Sequence, residues 1–261
     1  MEVIIRPDIE AATELTARLI IDAVKQKPNL TLGLATGRTM EHVYGKIAQA
    51  CSENNLHLAE CKTFNLDEYI GIPENHPGSY RTYMNKHLFS KTDIKINNTN
   101  LPNGMAEDQK AEAQRYEELI KKAGGIDLQL LGIGMSGHIG FNEPLSALFS
   151  RTRDKALTQT TIDQNSPLFD NPDEMPKRAF TMGVGTILDS KRIIMLVTGK
   201  AKADILAKAV EGPVTAMISA TAIQLHATTT VIVDEDAATK LEGKDYYRWL
   251  FENEPEWELY R

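Results

Sequence analysis

Short apolar runs alternate with amphipathic stretches along almost the whole chain, and that alternation leaves few folds open. Residues 3–6, 29–35, 62–66, 126–131, 192–198 and 228–234 have the length and composition of strands. Helix-like stretches at 9–27, 40–54, 80–89, 106–123, 199–211 and 219–226 lie between them. Strands separated by helices build βαβ units and a mostly parallel sheet, so the fold class expected is α/β. At 9–27 the residues Leu15, Leu19, Ile20 and Val24 recur at helical spacing, which makes one face that covers the sheet. At 106–123 Ala113, Tyr116, Leu119 and Ile120 do the same, and Gly124-Gly125 stops the helix. No repeat, low-complexity tract or linker divides the 261 residues, so a single domain over 1–261 is expected. Residues 145–176 are its least regular part and read as a lid or an inserted strand pair. The aromatic tail at 246–257 reads as a segment docked on the body or on another subunit.

Several classes are disfavoured. No apolar run approaches the roughly 20 residues of a membrane helix, and the N-terminus reads as a strand rather than a signal peptide. Two cysteines, Cys51 and Cys61, form no disulfide framework, which suits a reducing cytoplasm. A formal charge of −7 argues against nucleic acid as partner, but a local cationic pocket for a small anion is compatible with it.

The chemistry concentrates after three strands. The central run 126–131 opens into Gly132-Ile133-Gly134-Met135-Ser136-Gly137-His138, with Glu143 five residues later. Glycines allow a tight turn and close approach of backbone to ligand. An imidazole suits proton transfer near neutral pH, and a carboxylate can orient it. A structural histidine in a tight turn explains that loop taken alone. The strand at 29–35 opens into Thr36-Gly37-Arg38-Thr39 and a helix; the strand at 192–198 opens into Gly199 and a helix bearing Lys202. Strand, small-residue turn and helix N-terminus together make an anion site. Asp67 and Glu68 follow the strand at 62–66, at the edge where open α/β sheets bind ligands; a solvated loop or helix cap is the plain alternative. Two carboxylates, an imidazole and a cationic rim suit acid–base chemistry on a small phosphorylated metabolite. The spacing of His138 and Glu143 fits no standard metal set, and the cysteines are not paired for zinc. Ser136 lacks the strand–Gly-x-Ser-x-Gly–helix arrangement of a nucleophile. The Gly132-x-Gly134-x-x-Gly137 pattern follows a central strand rather than the first, against a dinucleotide site.

The chain resembles the glucosamine-6-phosphate deaminase (isomerase) family over nearly its whole length. The resemblance rests on Leu34-Ala35-Thr36-Gly37, on 64–71 (Phe-Asn-Leu-Asp-Glu-Tyr-Ile-Gly), on 137–144 (Gly-His-Ile-Gly-Phe-Asn-Glu-Pro), on Ser150-Arg151-Thr152-Arg153 and on 211–216 (Glu-Gly-Pro-Val-Thr-Ala). It implies a modified Rossmann-like open sheet, mostly parallel, with helices on both faces. It implies conversion of glucosamine 6-phosphate and water to fructose 6-phosphate and ammonia, without metal or organic cofactor. Carried over by position, Asp67 is the base moving the C2 proton to C1, His138 assists ring opening, and Glu143 holds His138. Thr36, Gly37, Thr39 and Lys202 fall on phosphate-site positions.

Three departures from the family pattern stand out. Ser136 replaces an Asp or Asn, which bears on the tuning of His138. Pro167 replaces a phosphate-binding arginine of several bacterial members. Arg38 stands where members have Gly or Ser, and is expected to supply the missing cation from the other side of the phosphate. Some members are hexamers activated by N-acetylglucosamine 6-phosphate. That allosteric site matches here at Ser146, Arg153 and Lys155, with Ala147 in place of a second serine. A homo-oligomer, up to a hexamer, is therefore expected. Competing expectations are a deaminase for another amino sugar, such as galactosamine 6-phosphate or an unphosphorylated one, and a non-catalytic sugar-phosphate sensor.

Overall fold

The computed structural model describes residues 1–261. In chain order the elements are β1 (Glu2–Arg6), α1 (Ile9–Gln26), β2 (Thr31–Leu34), α2 (Arg38–Ser52), β3 (Lys62–Asn65), β4 (Asp67–Tyr69), α3 (Tyr80–His87), β5 (Thr99–Asn100), α4 (Gln109–Lys122), β6 (Leu128–Leu131), β7 (Arg153–Ala156), α5 (Gln159–Asn165), β8 (Arg178–Thr181), α6 (Val184–Leu188), β9 (Arg192–Val197), α7 (Ala203–Val210), β10 (Thr229–Asp234) and α8 (Lys244–Asn253). Capping follows side-chain chemistry. Asp8, Ser79 and Asp108 each accept a backbone N–H in the first turn of α1, α3 and α4. Gly37, which precedes α2, has no side chain to do so.

Seven strands form one sheet in the order β1-β10-β9-β6-β2-β3-β5, and every pairing in it is parallel. Strands β6, β9 and β10 are buried at consecutive positions, so both faces of the sheet are covered, as a parallel sheet requires. From β2 the chain proceeds outward through β3 and β5, then returns to β6 on the other side of β2 and proceeds through β9 and β10. The loops after β2 and β6 thus diverge, and ligands of open α/β sheets bind in the crevice at such a reversal. Thr36–Thr39 follow β2 and the glycine loop follows β6.

A second sheet, antiparallel and ordered β4-β8-β7, flanks this crevice. Asp67, read from sequence as part of a loop, is the first residue of β4, in register with Thr181 of β8; Arg153 of β7 pairs with the same Thr181. The segment 145–176 contributes one inserted strand and helix α5 rather than a strand pair. Its partner strand, β8, lies beyond it in sequence. Helix α2 starts at Arg38, two residues ahead of expectation, because Gly37 can serve as the residue before it with φ of 124°. Residues Ser219–Leu225 form tight 3₁₀ turns instead of an α-helix. There the Thr221 hydroxyl bonds the Ile218 carbonyl and competes with regular helical bonding. The tail docks on the body: Phe251 and Trp257 are buried, and the Arg6 guanidinium sits 5.0 Å over the Phe251 ring.

The main core holds 55 residues around the large sheet, and a smaller cluster including Tyr69, Phe141 and Phe169 lies beneath the small one. No helix is long and apolar enough to cross a membrane.

Candidate active site

One end of the site is built at two strand–helix junctions. After β2, Gly37 takes φ of 124°, which an L side chain rarely adopts, and turns the chain into α2. The N–H groups of Arg38 and Thr39 have no backbone acceptor and face outward at the positive end of the helix. After β9, Gly199 (φ 87°) turns into a 3₁₀ segment, and its N–H donates to both carboxylate oxygens of Asp234 at 3.0 Å. The Thr39 and Thr198 hydroxyls, 3.5 Å apart, join the two junctions. Lys202 Nζ donates to the Ile133 carbonyl at 2.8 Å, and burial holds its pKa below the usual lysine value. No carboxylate pairs with Lys202 or with Arg38, so both charges are available to an anion.

The imidazole lies on the loop after β6. Gly134 N–H donates to the His138 carbonyl at 2.9 Å, closing the loop, and the ring folds back over Gly134. A Cβ on residue 134 would meet Nε2 at 2.1 Å, so only glycine fits under the ring. His138 Nδ1 has two neighbours, Ser136 Oγ at 2.8 Å and Glu143 Oε2 at 3.3 Å. An ionised carboxylate only accepts, so Nδ1 carries the proton and Nε2 keeps a lone pair for chemistry. Oε2 makes no well-aligned hydrogen bond, so its hold on the ring is chiefly electrostatic. Its partner oxygen, Oε1, accepts from the Thr158 N–H (3.2 Å), the Thr158 hydroxyl (3.1 Å) and the Thr161 hydroxyl (2.5 Å). Burial raises the Glu143 pKa, but His138 and these donors outweigh it and bring it down to about 2. Helix α5, opened by Thr158, thereby fixes the carboxylate that fixes the imidazole.

Asp67 is different in kind. It is buried, and its carboxylate takes part in no hydrogen bond or ion pair. Burial, with a smaller contribution from the Glu68 charge, pushes its pKa up to about 8. Gly140 (φ 54°) allows the loop to pass close to this group: a Cβ there would lie 2.8 Å from the Thr181 hydroxyl and 3.5 Å from Asp67 Oδ2. Glu68, taken from sequence as a second acid of the pocket, is turned away. Successive residues of β4 point to opposite faces, and the Glu68 carboxylate accepts from the N–H groups of Tyr69, Tyr80 and Arg81, each at 2.9 Å. It serves as a cap for α3.

One cavity of about 660 Å³ takes in Thr36, Gly37, Arg38, Thr39 and Lys202 at one end and Asp67 and His138 at the other. Ser136 and Glu143 do not line it; both lie against His138 Nδ1. Pro167 and Arg38 both line the cavity. Ser146, Arg153 and Lys155 lie outside it. The Ser146 hydroxyl is buried without a partner, and Arg153 donates to Asn142 Oδ1 at 2.9 Å. Asn142 in turn donates to the carbonyls of Ile139 and Met182, both at 2.8 Å, which ties Arg153 to the loop of His138. Sequence reading missed Tyr80 and Tyr83, which line the cavity, and Thr158 and Thr161. These partners are distant in sequence, and only the polar, helix-capping character of Thr158 gave a local signal. No cluster of three or more His, Cys, Asp and Glu side chains is arranged for a metal.

Comparison with known proteins identifies relatives over nearly the whole chain. The family profile described as glucosamine-6-phosphate isomerases/6-phosphogluconolactonase matches residues 8–232. A glucosamine-6-phosphate deaminase of Hahella chejuensis is 51% identical over 250 residues, covering 96% of this chain and 95% of the relative. One of Shewanella loihica is 47% identical, covering 96% and 93%. Among solved structures, a monomeric glucosamine-6-phosphate deaminase superposes with a TM-score of 0.90 at 42% identity, covering 92% of this chain and all of that one.

Proposed function

Because this chain belongs to the glucosamine-6-phosphate isomerase/6-phosphogluconolactonase family, we propose that it is an enzyme converting glucosamine 6-phosphate and water to fructose 6-phosphate and ammonia. The observation that carries the residue assignment is the Asp67 carboxylate. It is buried, unpaired and raised to about 8, and it shares one cavity with His138 and with an anion-binding end.

The sugar phosphate docks with its dianion on the free N–H groups of Arg38 and Thr39, the Thr36 and Thr39 hydroxyls and the Lys202 ammonium. Arg38, which lines the same cavity as Pro167, supplies a guanidinium to the phosphate. At the other end His138 Nε2 takes the anomeric hydroxyl proton and returns it to the ring oxygen, which opens the ring. Glu143 and Ser136 hold the imidazole in the tautomer this needs. Ionised Asp67 then removes the proton from C2 of the open-chain aldose in its 2-ammonium form, the ammonium nitrogen gives a proton to O1 to leave an enolamine, and Asp67 returns the C2 proton to C1 to leave a protonated imine at C2. The C2 imine so formed adds water and loses ammonia, leaving the ketose. A carboxylate short of hydrogen-bond donors is a stronger base than a solvated one, and the burial of Asp67 keeps the proton on it between the two carbons. The segment from α5 to Phe169 acts as the lid.

An effector site is part of the same reading. The unpartnered Ser146 hydroxyl, with Arg153 and Lys155 on β7, suits a phosphorylated amino sugar such as N-acetylglucosamine 6-phosphate. Arg153 reaches the His138 loop through Asn142. The assay that tests the substrate assignment supplies glucosamine 6-phosphate, galactosamine 6-phosphate and free glucosamine in parallel and measures ammonia and ketose together. Preference for the first supports the assignment; activity only on another sugar overturns it.

A further inference from the structure

We infer that helix α3 forms a third wall of the phosphate end, with Tyr83 as a positioning residue and Lys86 as a specificity-determining residue that meets the phosphate. The inference rests on the reading of the substrate as a phosphorylated sugar. Its first support is the Tyr83 hydroxyl, which donates to the Gly37 carbonyl at 2.8 Å. Gly37 is the residue whose positive φ turns β2 into α2, and it has no side chain to cap that helix. The phenol therefore fixes the peptide whose geometry aims the Arg38 and Thr39 N–H groups. The Tyr83 ring is itself held against His87, with centroids 4.5 Å apart. Burial, with the Glu41 charge adding to it, holds the phenol well above its usual pKa, so it stays a donor.

The second support is Lys86. It lies three residues after Tyr83 on the same helix, and residues at that spacing share a face. Lys86 lines the same cavity as Arg38, Thr39 and Lys202, is exposed, and has no carboxylate partner. The one acid lining this end, Glu41, already faces His87 Nε2 at 4.0 Å. A phosphate monoester near neutral pH carries close to two negative charges. Arg38, Lys202 and Lys86 surround that dianion from α2, from the turn before α7 and from α3.

The test uses the full-length protein and two readouts: ammonia release from glucosamine 6-phosphate, and binding of inorganic phosphate by calorimetry. Lys86→Gln should raise KM and the phosphate Kd by about five- to tenfold, a loss of roughly 1 kcal/mol, while kcat stays within about twofold. Lys86→Arg should restore both. Tyr83→Phe should raise both by about fivefold, the size of one lost hydrogen bond, with the pH profile of kcat unmoved. Lys86→Gln with KM and Kd both within about twofold of the parent would overturn the inference. So would a Tyr83→Phe effect confined to kcat. Phosphate binding reads the inference even if the parent releases no ammonia, in which case the substrate assignment alone has failed.

Discussion

Gly134 lies directly beneath the His138 ring, so close that a Cβ on it would fall 2.1 Å from Nε2. The backbone of Gly134 does not require glycine, since its φ is not positive. The requirement comes from the imidazole alone. Gly134→Ala should therefore fold normally but push the ring off its contacts with Ser136 and Glu143. We expect kcat to fall by about 10²-fold or more, the order of loss for a displacement of about 1 Å, with an unchanged circular dichroism spectrum. Near-parental kcat would mean that the ring position is not critical.

Arg38 opens α2 with its guanidinium unpaired at the cavity rim. Arg38→Ala should raise KM for the phosphorylated sugar by about tenfold or more, the effect of losing a charge-assisted contact. Steady-state kinetics on free glucosamine should show no comparable change. An unchanged KM for the phosphorylated sugar would remove Arg38 from the phosphate site.

Arg153 connects the outer face of β7 to the His138 loop through Asn142. If the effector site is placed correctly, N-acetylglucosamine 6-phosphate should lower KM or raise kcat by about fivefold or more, within the usual range of coupling energies. Arg153→Ala should abolish that response. A parent enzyme indifferent to this compound at saturating concentration would rule the site out.

The parallel sheet was legible because both of its signals are local: apolar strand runs, and amphipathic helices of the right length. The His138 loop and the two strand–helix junctions at Gly37 and Gly199 were legible for a related reason, since each follows a strand within a few residues. Glu68 could be read from sequence either as a pocket acid or as a helix cap, because its neighbour Asp67 looked equivalent, and the cap is what forms. Whether that stretch is a loop or a strand decides whether adjacent side chains share a face, and β4 exists only through pairing with β8, over a hundred residues away. The Thr158 and Thr161 donors to Glu143, and the Tyr83 bond to Gly37, are likewise contacts between distant segments.

Asp67 should also leave a trace in stability. Its usual carboxylate pKa of 3.8 is raised to about 8 in the folded protein. Between those values the folded state holds a proton that the unfolded state has released, so this group's contribution to stability is present at low pH and is lost as pH rises towards 8. Asn at position 67 resembles the protonated acid and escapes that loss. Asp67→Asn should match the parent in Tm near pH 4 and exceed it by several degrees near pH 8, since about 1 kcal/mol shifts Tm by roughly 2–4 °C at this size. An equal Tm at both pH values would contradict the burial argument. A variant less stable at pH 8 would reverse its sign.

The most direct test of the account is the rate of ammonia and ketose formation from glucosamine 6-phosphate by the parent and by Asp67→Asn at equal folded concentration. The parent should release the two products in equal amounts. The variant should lose at least about 10³-fold in kcat, as expected when the group that moves the proton can no longer accept it, while still binding the sugar phosphate. A parent that releases no ammonia, or a variant retaining more than about a tenth of the parent rate, would contradict it.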